Sequence, residues 1–202
     1  MATFCSLFSS SGGNSTYIGT ASGGILIDIG VSAKRTENAL KDIGVDPDSI
    51  GAVFVTHEHI DHISGVRVFA SRHRAKVYAT EGTLIGMEKS GVFQSPVDAY
   101  IIPSSGTEEQ GMFVRPFEIS HDANEPTGFT VFLESGKKLA VATDTGTVTC
   151  GMREALPGSD LVLLESNHDI NMLKMGPYPY SEKKDSLRQR ASLKRYVLLL
   201  CR

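Results

Sequence analysis

Apolar, β-branched runs alternate with amphipathic stretches along this chain, and the alternation predicts strands and helices in turn. Gly51-Ala52-Val53-Phe54-Val55 is the most compact of these runs and reads as a buried strand. Phe4 to Phe8 predicts a short strand at the start, followed by a polar, Gly-rich loop from Ser9 to Asn14. Ser15 to Thr20 and Gly24 to Asp28 predict a hairpin turning at Ala21-Ser22-Gly23. Ser32 to Ile43 reads as a helix with Ser32 as N-cap and Gly44 in the C′ position. Pro47-Asp48 turns the chain into the 51–55 strand. A helix from Ser64 to about His73, a strand from Lys76 to Thr80, a helix from Glu81 to Ser90 and a strand from Ala99 to Pro103 follow. The second half predicts a strand over 111–120 and a hairpin pairing 127–135 with 138–143 around Ser135-Gly136-Lys137. A last strand covers 160–165. Such alternation points to a layered α/β fold.

Length and composition narrow the class. At 202 residues the chain suits one domain with a real core. A hydrophobic fraction of 41% and a charged fraction of 21% are those of an ordinary globular protein. The net charge of −3 creates no global field that would advertise a polyanionic partner. The charge is uneven, because residues 181–202 hold seven Lys or Arg against two Asp or Glu. The expected division is therefore a main domain over 1–180 and a divergent basic tail over 181–202. Cys5, Cys150 and Cys201 are scattered and odd in number, which fits a reducing compartment better than a disulfide framework. The first residues lack the basic lead and apolar core of a signal peptide. No stretch approaches the roughly 18 apolar residues of a membrane span. A cytoplasmic protein with no membrane partner is the expectation.

The chemistry lies in Thr56-His57-Glu58-His59-Ile60-Asp61-His62, which follows the 51–55 strand directly. Imidazole and carboxylate are the ligands that zinc and similar cations take. While extended geometry persists, side chains at i and i+2 share a face, so His57 and His59 grip one ion together. A turn of the backbone then aims Asp61 and His62 at a neighbouring position. The spacing predicts a pair of adjacent metal sites. The Ser9–Asn14 loop lacks the Gly-Lys-Ser/Thr of a P-loop and reads as a turn, although beside metals its backbone N–H groups would suit a phosphate. His73 reads as a residue of a solvated helix face.

The His-x-His-x-Asp-His pattern resembles the signature of the metallo-β-lactamase superfamily. The resemblance implies a four-layer αββα sandwich with a dinuclear metal centre along one edge. It also implies that Asp28 sits under the site and orients the metal-binding loop. His121, in Ser120-His121-Asp122, resembles the third motif and would complete a three-His set with His57 and His59. Asp144, in Thr143-Asp144-Thr145-Gly146, resembles the fourth motif, whose Asp bridges both metals. Asp61 and His62 would hold the second ion with Asp144. His168 reads as a loop residue that shapes the pocket.

The segments at 120–126, 142–146 and 164–169, with Gly176-Pro177-Tyr178-Pro179-Tyr180, resemble one branch, the small bacterial WalJ/YycJ-type metallohydrolases. That branch implies a metal-dependent phosphodiesterase or DNA nuclease with two divalent ions, Zn or Mn, and Asp61 and Asp144 as catalytic residues. The resemblance covers residues 1 to about 180. After it the sequence departs from the branch's last motif, whose His would serve the second ion. The expectation is an altered or shortened C-terminus and a weakened second site. A thioester or lactone hydrolase of the same fold stays open as an alternative, as does a catalytically poor metal- or nucleic-acid-binding fragment.

Overall fold

The computed structural model describes residues 2–92 and 97–164, organised around two sheets packed face to face. The first sheet begins with β1 (Thr3–Ser10), β2 (Gly13–Thr20) and β3 (Gly23–Ile27), an antiparallel meander. It continues in parallel through β4 (Ile50–Phe54), β5 (Lys76–Ala79) and β6 (Ala99–Ile101). Its parallel half needs crossovers. These are made by α1 (Ala33–Asp42), by α2 (Ile60–Ile63) with α3 (Val66–His73), and by α4 (Glu81–Lys89). The second sheet contains β7 (Thr107–Glu109), β8 (Met112–Glu118), β9 (Thr127–Leu133), β10 (Lys138–Ala142) and β11 (Leu161–Leu164). Its order is β11-β10-β9-β8-β7, and α5 (Cys150–Ala155) links β10 to β11.

Strand alternation explains why the apolar runs are continuous. In β4 and just beyond, Val53 and Val55 join the cluster that packs Leu40 of α1, Phe69 of α3 and Met87 of α4. Ala52 and Phe54 point the other way, into the layer between the sheets, where they meet Phe129, Val131 and Val141. In β10, Leu139 and Val141 face that middle layer while Ala140 and Ala142 pack with Met152 and Leu156 on the outer side. Central strands buried on both faces cannot show a polar alternation. Three stacked cores make four layers, αββα, as the resemblance implied.

Several local expectations are corrected. The loop expected over 9–14 shrinks to a two-residue turn, because Ser9 pairs with Asn14 and Ser10 with Gly13. Ser32 holds the cap position of α1 without a side-chain cap hydrogen bond, whereas Gly44 does adopt the left-handed φ of 77°. β7, α2 and α5 were not foreseen. His73 does not lie on a solvated face: only 9% of its side chain is exposed, packed between Glu37 and Asp48 against the Phe69 ring. The tail division at 180, the C-terminal departure and His168 lie outside the described residues.

Candidate metal centre

Four strands deliver the site from their carboxyl ends, the usual location in sheet-based folds. β3 leads into Asp28 and β4 into His57, while β8 and β10, both antiparallel to β9, lead into His121 and Asp144. The first sheet thus supplies the signature and the second sheet supplies the two more distant side chains. A backbone bond from Thr127 N to Thr56 O, 2.9 Å, ties the sheets beside the site. Another, from Gly146 N to Ser120 O at 2.6 Å, ties the loops of Asp144 and His121 together.

Two donor groups result. His57, His59 and His121 bring one ligand atom each to within 4.8 Å of one another, and so do His57, His62 and Asp144. His59 Nδ1 and His121 Nε2 face each other at 3.2 Å, and the four imidazole rings lie with several centroids 4.0–4.9 Å apart. Asp61 belongs to neither group of three, but its Oδ2 lies 3.5 Å from His62 Nε2. The six sequence-selected residues, His57, His59, Asp61, His62, His121 and Asp144, therefore come together. His57 is shared between the two groups, which spacing alone did not suggest.

Asp28 explains the local order. It is 1% exposed and accepts hydrogen bonds from Thr56 N, from Thr56 Oγ1 and from His62 Nδ1, all at 2.8 Å. With its proton given to Asp28, the Thr56 hydroxyl can accept from His57 Nδ1 at 3.0 Å. His121 Nδ1 faces Asp122 Oδ1 at 3.2 Å. Each of these three rings is thus anchored through Nδ1, which leaves Nε2 turned toward the others. Such outer partners set the tautomer and direction of metal-binding imidazoles. The φ angles of Asp28 and Asp144 are 61° and 51°, a left-handed conformation uncommon for residues with a side chain. Their retention at the site is the kind of local strain that functional geometry sustains.

The donor set fits a divalent cation on its own terms. His57 Nε2 is buried without a hydrogen-bond partner among the described residues, an arrangement that is costly unless something positive sits beside it. Burial holds the His57 imidazole far below its ordinary value, aided by repulsion from His62 and His121; burial likewise lowers His121. Both imidazoles are neutral at pH 7. His62 is the opposite case. Burial pulls it down, but Asp28 and Asp144, the latter at 2.7 Å, more than offset this and raise it to about 10 in the metal-free protein.

Sequence reasoning missed the supporting side chains. Glu58 accepts from Asn124 N at 2.9 Å, and Glu125 accepts from Gly82 N at 2.8 Å. Gly82 and Gly86 of α4 permit this: a Cβ on the first would stand 2.6 Å from Glu125 Cβ, on the second 2.5 Å from Glu58 Cγ. α4 and Glu58 thereby clamp the loop that begins at His121. Two glycines inside a helix are costly by propensity, and that was the available signal.

A model of the metallo-β-lactamase superfamily matches residues 10–201, and the chain belongs to that superfamily. It is a hydrolase of this class. Among its relatives, "Exodeoxyribonuclease YycJ" of Bacillus anthracis is 40% identical over 183 residues, covering 90% of this chain and 69% of the relative. "Exodeoxyribonuclease WalJ" of Streptococcus pneumoniae is 36% identical over 182 residues, covering 88% and 67%. The chain thus spans about two thirds of the length of these relatives. Among solved structures, a metallo-β-lactamase of Cronobacter sakazakii with a HARLDQ motif superposes with TM-score 0.66 at 16% identity, covering 90% of each chain. Zn(2+)-bound PqqB of Methylobacterium extorquens gives 0.65 at 19%, covering 82% of this chain and 64% of that one. At such identities the structural likeness concerns the fold alone. No helix among the described residues is long and apolar enough to cross a membrane.

Proposed function

We propose that this chain is a metal-dependent phosphodiesterase that degrades DNA from an end. The observation that carries the reading is the pair of donor groups sharing His57, built from the carboxyl ends of both sheets. The substrate class rests on the two relatives named exodeoxyribonucleases. His57, His59 and His121 would hold one divalent ion, Zn or Mn; Asp61 and His62 would hold the second, with Asp144 available to either. Bound there, divalent ions supply the Lewis acidity and water activation that phosphodiester hydrolysis needs. Asp28 keeps His62 and, through Thr56, His57 in the ligating tautomer. Asp144, 2.7 Å from His62 Nε2 and 3.9 Å from His57 Nε2, would orient an attacking water at the centre. Glu58 and α4 fix the His121 loop against displacement by a bulky substrate.

The test is a purified full chain supplemented with Zn or Mn and offered end-labelled DNA, a thioester and a lactone in parallel. DNA degradation should be chelator-sensitive, and Asp61→Ala and Asp144→Ala should each lower it by at least about 10–100-fold, the scale on which ligand-shell losses act. Efficient thioester or lactone turnover with untouched DNA would move the assignment to that substrate class. A folded chain that retains no metal would remove the metal-centre reading.

A further inference from the structure

Asn14 is the second residue of β2, at the tip of the first hairpin, and the sequence marks it only as a turn residue. The structure places its carboxamide at the site. Asn14 Nδ2 lies 3.4 Å from Asp61 Oδ2 and 3.1 Å from His62 Nε2, and those two atoms are 3.5 Å apart. Among the described residues it supplies the only hydrogen bond to the Asp61 carboxylate. We propose that Asn14 is a positioning residue of the second metal subsite, holding the Asp61 carboxylate beside His62 Nε2 in the orientation in which the two residues bind a cation together.

The backbone is built for that task. Asn14 O accepts from Gly30 N at 2.8 Å, which pins the hairpin tip to the turn after β3. A Cβ on Gly13, whose φ is 149°, would stand 2.7 Å from Gly30 O. One on Gly30 would fall 1.6 Å from Asp61 O and 2.5 Å from Asn14 N. Hairpin tip, Gly30 turn and Asp61 backbone are therefore in direct contact, at a closeness only glycine allows. His62 already has an anchor in Asp28 on its Nδ1 side, whereas Asp61, 29% exposed in its side chain, has Asn14. A carboxylate that binds a metal needs such a partner to keep its free lone pairs on the ion, and an amide –NH2 donates without adding charge.

The inference rests on the metal-centre reading, and the experiment separates the two. Mn(II) is titrated into the full-length, metal-free chain, with free Mn(II) followed by electron paramagnetic resonance, for the wild type, Asn14→Ala and Asn14→Leu. The wild type should take up two ions. Both variants should bind the first as the wild type does and the second about 10–100-fold more weakly. A second-ion affinity within twofold of wild type in either folded variant would overturn the proposal, and so would equal weakening of both ions, the mark of general structural damage. Should neither variant fold, the unmodified chain still decides: the Asn14 side-chain amide resonances must move with the second equivalent of Zn and hold still through the first. Amide signals indifferent to the second equivalent would overturn it. A wild type that loads fewer than two ions would sink the two-ion reading itself, an outcome distinct from a two-ion protein insensitive to position 14.

Discussion

Asp28 shows how much a single side chain organises here. It takes three hydrogen bonds at 2.8 Å in a fully buried setting, two from Thr56 and one from His62. Asp28→Ala would leave the Thr56 amide and the His62 imidazole buried without their acceptor, a loss of about 3–5 kcal/mol by the behaviour of broken buried charge pairs. Urea unfolding of the metal-free variant against wild type checks this. The imidazoles also give a pH signature. His62, raised from 6.5 to about 10, contributes stability that is complete below pH 6.5 and is lost as pH rises toward 10. His57 and His121 are lowered, so their contribution is complete above 6.5 and is lost as pH falls below it. The metal-free protein should therefore show a maximum in its thermal midpoint near pH 6.5, and the decline above it should disappear in a His62→Ala variant. Loading gives a second check. A ligand must shed its proton to bind a cation, so at pH 7 an ion that recruits His62 should release about one proton, while an ion that recruits His57 and His121 would take rings that are already neutral. Indicator-dye titration reads the difference directly.

Elements, unlike residues, were legible where length and apolar pattern agreed. The 51–55 run, the α1 periodicity and the 127–143 hairpin all carried enough residues to show their period, and the structure places them within two residues of the expected ends. β7 is three residues, Thr-Glu-Glu, and exists because β8 pairs with it; nothing local specifies it. α5 has six residues and α2 four, too short to display a helical period. The β1–β2 tip was misjudged because backbone pairing at Ser9, Ser10, Gly13 and Asn14 is indifferent to polar side chains. The candidate ligands were legible since four of the six stand within six residues of one another, while His121 and Asp144 became legible only through the family resemblance. Asn14, Glu58 and Glu125 act by contacts between distant segments, and no local pattern marks them. At this scale α4 is the element to probe. Gly86→Ala would set a methyl 2.5 Å from Glu58 Cγ and push the His121 loop away. The variant should bind the first ion at least about 10-fold more weakly, with little change in helix content by circular dichroism, although Ala is otherwise the better helix former.

At the scale of the whole molecule, the two sheets are joined by the apolar layer between them and by polar ties such as Glu109, which is 8% exposed. It reaches from β7 to Lys76 Nζ at 2.7 Å and Tyr78 OH at 2.6 Å on β5. Glu109→Leu and Glu109→Ala both leave the buried Tyr78 hydroxyl and Lys76 without their acceptor, so each should cost about 1–3 kcal/mol in thermal or urea unfolding.

The placement of ligands on both sheets has a kinetic meaning. His57 and His59 emerge early in the chain, His121 and Asp144 much later, so the three-imidazole set cannot assemble until both sheets have formed and docked. A cation that needs the assembled set is therefore expected to bind after the rate-limiting crossing rather than to guide it. Interactions absent from the transition state slow unfolding and leave folding untouched. In stopped-flow experiments, Zn should lower the unfolding rate in proportion to the affinity gained while the refolding arm of the chevron stays where it is without metal; a faster refolding arm would mean that the ion gathers the chain before the sandwich closes.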